Sequence, residues 1–394
     1  MSPPGARPLE GLRVLELGQL LAGPWAGTIL AYLGADVIKV EPPSGDPIRS
    51  WRVLDETGTS YWWRSIARNK RCITIDLRTD DGRALARRLA LGCDVLIENF
   101  RPGTLERWGL GPDALHAESP GLVIARISGY GQDGPLRDRP GYASVAEAAA
   151  GLRYVTGTPG EVPVRSNLSL GDTLAGLHTA IGILAALRER DRSGRGQVID
   201  CALTESVLSV LEAVIPEAAG AGVIREPSGP TITGVVPSNV YPCSDGARLV
   251  IAANGASLFV RLMRAIGRED LASDPSLKEN PGRVARASEL DGAIADWTRV
   301  RTKDEVVAAM VNAEVPCAPI QNAQDLLRDP QLLARGAFEV LDGVTVSAIA
   351  PKLGRTPGGT EWTGRAIGAD TDEVLGELGL DEGEIAELRR RGVV

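Results

Sequence analysis

The side chains of this sequence that could do chemistry are few, and most familiar arrangements are missing. No Walker A loop, GxSxG elbow, HExxH pair or EF-hand loop occurs. Phosphoryl transfer, serine-hydrolase chemistry and metal-assisted hydrolysis therefore lack their usual parts. The two histidines, His116 and His178, cannot form a conventional zinc site without cysteine or carboxylate help, and no metal is expected. His178 falls inside an apolar segment and suits packing. The five cysteines (Cys72, Cys93, Cys201, Cys243, Cys317) are widely spaced with no CxxC, the pattern of buried free thiols in a reducing compartment. Gly129-Tyr130-Gly131-Gln132-Asp133-Gly134 has dinucleotide-turn spacing. Pro135 and the charged run through Pro140 stand where the helix of that motif should open, so an exposed tight turn is expected.

What remains is Ser169-Leu170-Gly171-Asp172-Thr173-Leu174-Ala175-Gly176, a carboxylate just ahead of an apolar helix. Asp is a favoured N-cap, and its charge suits the positive end of a helix. On pattern alone that account of Asp172 suffices.

The elements that would position such a residue alternate between strand and helix. Strands are expected at 12–17, 36–40, 72–77, 94–97 and 122–127, and helices at 22–33 and 80–91. This is the βαβ pattern of a parallel, Rossmann-like sheet, whose ligands bind beyond the carboxyl ends of the strands. The loops after Leu17, Leu77, Ile97 and Ile127 are therefore the places for a site. A long helix over 174–190 has almost no polar residue before Arg188 and is expected to be nearly all buried. Further helix is expected over 202–219, a linker over 225–242, and a strand at 248–252 followed by helices at 257–266, 287–298 and 303–313. Short helices at 371–378 and 381–391 close the chain.

Composition agrees with a globular α/β protein. Apolar residues are 43% and charged residues 24%, so disorder is not indicated. Aromatics are only 4%, which leaves the core to Ala, Val, Ile and Leu and favours helices on a buried parallel sheet. A net charge of −8 opposes bulk attraction to nucleic acid. The start, MSPPGARPLEG, has no apolar signal core, and no membrane span is expected, so the cytoplasm is the expected compartment.

Across nearly the whole length, the chain resembles the family III CoA-transferases, the group of formyl-CoA transferase, carnitine-CoA transferase and the 2-methylacyl-CoA racemases. The resemblance rests on PLEGLRVLELGQLLAGPWAG, LGADVIKVE, RNKRCITIDLRT, DVLIENFRPG, ISGYGQDGP, SLGDTLAGLHTAIGILAAL, SGRGQVIDCAL, VPCAPI and LGADTDEVLGELG. It implies a large Rossmann-like domain from residues 1–222 and 326–394. A smaller α/β domain at 223–325 would be inserted into it, and the assembly would be an interlocked homodimer. It implies that Asp172 is the nucleophile, and that coenzyme A (CoA) enters as substrate, with no permanently bound cofactor. By the same resemblance, Gln19, Leu20, Leu21 and Ala22 would contact CoA. So would Ile75 to Arg78, Asn99, Phe100, Arg101, Arg107 and Tyr142.

A carboxylate nucleophile has a physical logic. Attack on a thioester gives a mixed anhydride, and return of the thiolate gives an aspartyl thioester, so the thioester's free energy is kept. Serine would make a stable ester, and cysteine would only swap thioesters. Water must be excluded or the anhydride hydrolyses.

Tyr142 stands where racemases of the group carry a histidine, and it is a poor α-proton base near neutral pH; transferase is favoured over racemase or a non-catalytic CoA-binding subunit. Pro42 replaces a basic residue that some members place there, and 231–242 has only Gly234 where formyl-CoA transferase has a glycine-rich lid. That argues against formyl and oxalyl substrates. The segments around 163–176 and 228–243 look most like transferases for short dicarboxylic acids. Succinyl-CoA is then the expected donor and itaconate, mesaconate, citramalate or malate the acceptor. Arg49 and Arg165 are candidate partners for the second carboxylate of the substrate.

Overall fold

A computed structural model describes residues 7–394. The chain divides into two units. One runs up to Leu152 and takes in Ser166–Glu212 and Leu333–Val394; the other comprises Arg153–Arg165 and Ala213–Leu332. Residues 153–165, 213–222 and 326–332, assigned from the sequence to the large domain, thus fall in the second unit.

The first unit is built on a parallel sheet of β1 (Arg13–Glu16), β2 (Asp36–Glu41), β3 (Lys70–Thr74), β4 (Val95–Glu98), β5 (Val123–Ser128) and β6 (Val198–Ala202), in the order β3-β2-β1-β4-β5-β6. The strand order reverses beside β1, between β2 and β4. A crevice opens at such a switch point, because the loops after β1 and β4 leave the sheet toward opposite faces.

The strands are almost wholly buried and alternate between two cores. Leu15, Ile38, Ile73 and Leu96 face one side with Leu85 and Leu89. Val14, Val37, Val95 and Ile97 face the other with Ala26, Ala175 and Ile183. This period of two on both faces explains the near-continuous apolar strand sequences.

Helices cover both faces. α1 (Ala22–Tyr32) is small and apolar and nearly all buried. α2 (Asp80–Leu91) begins where Thr79 accepts from the Gly82 amide, carries Asp80 and Asp81 in its first turn, and buries Leu85 and Leu89; each feature favours helix at that point. α3 (Ala143–Ala149), α4 (Leu170–Ser193) and α5 (Leu203–Leu208) follow.

α4 starts one turn earlier than the sequence indicated and is not nearly all buried. Leu177, Ile181 and Leu184 are 40%, 63% and 37% exposed, an apolar row at helical spacing on its outer face. By length and composition α4 could cross a membrane, but its inner face is part of the second core with α1. The expected helix over 202–219 is broken. β6 precedes it as an edge strand whose residues 198–200 stay accessible, which weakens its apolar signature.

The second unit has its own antiparallel sheet of β7 (Ser238–Pro242), β8 (Arg248–Ala252) and β9 (Cys317–Pro319). Helices Ala256–Ala265, Ala287–Arg299 and Lys303–Asn312 pack a separate core around Tyr241, Ile251, Phe259, Leu290 and Met310.

α1 and α4 meet closely. A Cβ on Gly176 would lie 2.8 Å from the Ala22 carbonyl oxygen and 2.9 Å from the Trp25 ring. Gly176→Val should cost about 1–3 kcal/mol of stability, because backbone must move. Gly292→Ala, in a helix with nothing within 4 Å of its Cβ, should be neutral or stabilising by up to about 1 kcal/mol. Denaturant unfolding followed by circular dichroism checks both; equal midpoints would contradict the close crossing.

Candidate active site

The loop after β1 is held from several sides. Asn99, just past β4, accepts from the Gln19 amide through Oδ1 and donates to the Gln19 carbonyl through Nδ2, both at 2.8 Å. A single side chain thus joins the two loops of the switch point. Behind them, Glu16 is fully buried between the ammonium groups of Lys39 (3.1 Å) and Lys70 (2.7 Å). Burial disfavours the charge on Lys39, but Glu16, Asp46 and Glu41 outweigh it and hold its pKa above the usual lysine range. Burial lowers Lys70 to about 8, against the pull of Glu16.

After β4, the Phe100 amide donates to Glu98 at 2.7 Å, and the Phe100 ring packs edge-on to Trp108 at 5.1 Å. Burial raises the Glu98 carboxyl to about 7, opposed by Arg126 at 2.9 Å.

α4 brings in the carboxylate. Its N-cap is Ser169, and Asp172 sits inside the first turn. The capping account of Asp172 therefore does not describe its place. Its charge still suits the helix N-terminus.

One cavity gathers most of the expected residues. Its walls include Gln19, Leu20, Leu21, Ala22, Asn99, Phe100, Arg101, Tyr142 and Asp172. A second cavity, lined by Ile75, Asp76 and Arg78, shares Gln19 and Phe100 with the first. The two cavities are neighbours along the carboxyl edge of the sheet.

Other expected residues lie elsewhere. Arg107 lines neither cavity and donates to Thr104 Oγ1 at 2.9 Å. Arg49, expected near a substrate carboxylate, forks instead onto the buried Glu41 at 2.7 and 2.6 Å and lies 3.6 Å over the Trp63 ring. Its planar cation suits both contacts. Arg165 is an exposed residue of the second unit.

The loop after β5 is among those the sequence marked as places for a site, but only Tyr142 was named from it. Gly129, Arg137, Arg139 and Pro140 also line the first cavity, and the run through Pro140 is an exposed turn as expected. This loop leaves the same sheet edge as those after β1 and β4, and a charged turn has the same sequence whether it borders a cavity or only solvent. A Cβ on Gly129 would come within 3.0 Å of the Gly141 Cα, so the loop can close tightly beside Tyr142.

The wall chemistry is selective. Among the described residues Asp172 is its one carboxylate, beside Arg101, Arg137 and Arg139, and no cysteine or histidine lines it. All five cysteines are free thiols, and burial pushes Cys72 and Cys93 up to about 12.

Residues 9–371 match the model of CoA-transferase family III. The chain belongs to this family. It is similar to the succinyl-CoA–D-citramalate CoA-transferase of Chloroflexus aurantiacus, with 46% identity over 98% of each chain. The alpha subunit of succinyl-CoA–L-malate CoA-transferase from Chloroflexus aurantiacus is 40% identical over all of this chain and 95% of its own. A crystal structure of a CAIB/BAIF family protein from Brucella suis superposes with a TM-score of 0.85 at 33% identity, covering 94% of this chain and 99% of that one.

Proposed function

We propose that this family III CoA-transferase moves CoA from succinyl-CoA to a C4–C5 dicarboxylate such as citramalate, malate, itaconate or mesaconate, with Asp172 as the nucleophile. The observation that carries the proposal is that Asp172 is, among the described residues, the one carboxylate in the wall of the switch-point cavity, beside residues that suit CoA. The named substrates of the similar Chloroflexus enzymes support the donor and the acceptor class.

The reaction needs no group beyond the two substrates. An oxygen of Asp172 attacks the thioester carbonyl, the C–S bond breaks, and CoA leaves as thiolate. The thiolate attacks the aspartyl carbonyl of the anhydride and succinate departs. The acceptor carboxylate then attacks the aspartyl thioester, and the thiolate returns to the acceptor carbonyl, restoring Asp172. Developing negative charge on the aspartyl oxygen would meet the first-turn amides of α4.

Arg101, Arg137 and Arg139 give the wall a positive charge in an acidic chain. They suit CoA phosphates or the remote carboxylate of a dicarboxylate. Asn99 and Phe100 in the first cavity and Ile75 and Arg78 in its neighbour would extend the CoA surface. The apolar walls from Leu20, Leu21 and Ala22 would limit water at the anhydride.

Purified protein with succinyl-CoA and a panel of free acids, read by mass spectrometry, should give new acyl-CoA from one or two dicarboxylates. Asp172→Ala should lose at least about a thousandfold in rate. Product undiminished in the variant would remove Asp172 from the mechanism. No product from any acid would redirect the search to α-proton exchange on a 2-methylacyl-CoA.

The expected homodimer has support in the apolar row of α4 and in exposed Val145 and Leu208 on α3 and α5, which pack against α4. Sedimentation equilibrium should give twice the chain mass, and Ile181→Asp should shift it toward the monomer. A monomeric native chain would contradict this assembly.

A further inference from the structure

Leu20 has a backbone φ of +64°, a left-handed conformation that a residue with a Cβ rarely keeps unaided. It is also a wall of the Asp172 cavity. What holds it there is a buried ion pair. Asp46, only 2% exposed, accepts the Leu20 amide at 3.1 Å and the Ile48 amide at 3.1 Å. It faces the Lys39 ammonium, also at 3.1 Å. Lys39 is fully buried and donates to the Gly18 carbonyl at 2.7 Å. Asn99 takes both backbone groups of Gln19 in between. Three consecutive residues are therefore gripped through their backbone, and two of the grips end on opposite charges that neutralise each other.

Stability is a weak account of such a pair, since apolar replacement of a buried ion pair is often neutral or stabilising. Strained backbone over-determined by its surroundings is a mark of a functional position.

We propose that Lys39 and Asp46 are positioning residues that fix the Leu20 loop in the conformation required for CoA transfer at the Asp172 cavity. The proposal rests on that cavity being the active site. Neither side chain lines the cavity, so both act through the loop backbone. Without the Asp46 carboxylate, the Leu20 amide loses its acceptor and the loop relaxes to a negative φ. The apolar wall beside the nucleophile is then misplaced.

A double-mutant cycle on kcat/KM tests this, using Asp46→Ala, Leu20→Gly and both together. Glycine takes a positive φ freely, so it supplies the conformation without the clamp. Asp46→Ala alone should lower kcat/KM at least about tenfold, and in the Leu20→Gly background by less than about threefold. Melting temperatures are recorded in parallel; a merely structural role for Asp46 would lower them without any such coupling in kcat/KM. Additive effects, or an unchanged kcat/KM in Asp46→Ala, would overturn the proposal. Should Asp46→Ala not fold, Asp46→Leu takes its place in the cycle, keeping the shape but offering the Leu20 amide no acceptor. Failure of the active-site assignment would show separately, as activity retained in Asp172→Ala.

Discussion

The close crossing of α1 and α4 is the constraint on which the site depends. The absence of a side chain at Gly176 lets the α4 backbone approach Ala22 and Trp25. Ala22 ends the loop after β1, and Asp172 lies about one helical turn before Gly176. One contact between helices therefore brings the nucleophile candidate to the wall formed by Gln19, Leu20, Leu21 and Ala22. The rest of the arrangement follows from sheet topology. Reversal of strand order beside β1 opens the crevice, and Asn99 ties its two sides together. Tight packing matters here because interiors of this density transmit small displacements rather than absorb them.

Charge is distributed in two layers. Deep in the first unit, Glu16, Lys39, Lys70, Asp46, Glu41 and Arg49 pair among themselves beneath the loops. None of them lines the Asp172 cavity, only Glu41 reaches the second cavity, and several end on loop backbone. Nearer the surface, Arg101, Arg137 and Arg139 face the cavity and give an acidic chain a local attraction for anions. Asp172 is the one negative side chain there among the described residues. An acyl-CoA and a dicarboxylate both bring negative charge, so this local sign is needed for either to bind next to a carboxylate.

The sequence made the regular parts legible and the irregular parts less so. Buried parallel strands announce themselves by unbroken apolar runs, and α2 by its cap and its period. β6 was missed because an edge strand is half accessible and need not be apolar throughout. α4 was misjudged because an all-apolar helix has no sequence mark that separates a buried face from an exposed one; Leu177 and Ile181 differ little in type from Ala180 and Ile183. Arg49 and Arg165 looked alike as cations near the right motifs. Only packing against Glu41 and Trp63 gives Arg49 a structural role. Arg137 and Arg139 looked like surface residues because a charged, proline-flanked turn reads the same whether it borders a cavity or only solvent. Asp172, Asn99 and the loop from Gln19 to Ala22 were legible through family motifs, whereas the clamp of Lys39 and Asp46 was not. Its signal is a backbone angle and two amide contacts, which no side-chain pattern encodes.

The central claim is that Asp172 carries the CoA group covalently. Protein incubated with succinyl-CoA and no acceptor should hold an aspartyl thioester, which hydroxylamine converts to a hydroxamate. Peptide mass spectrometry should find that modification on Asp172 and should not find it in Asp172→Ala. An unmodified Asp172 peptide from active enzyme, or a hydroxamate at another side chain, would contradict the account.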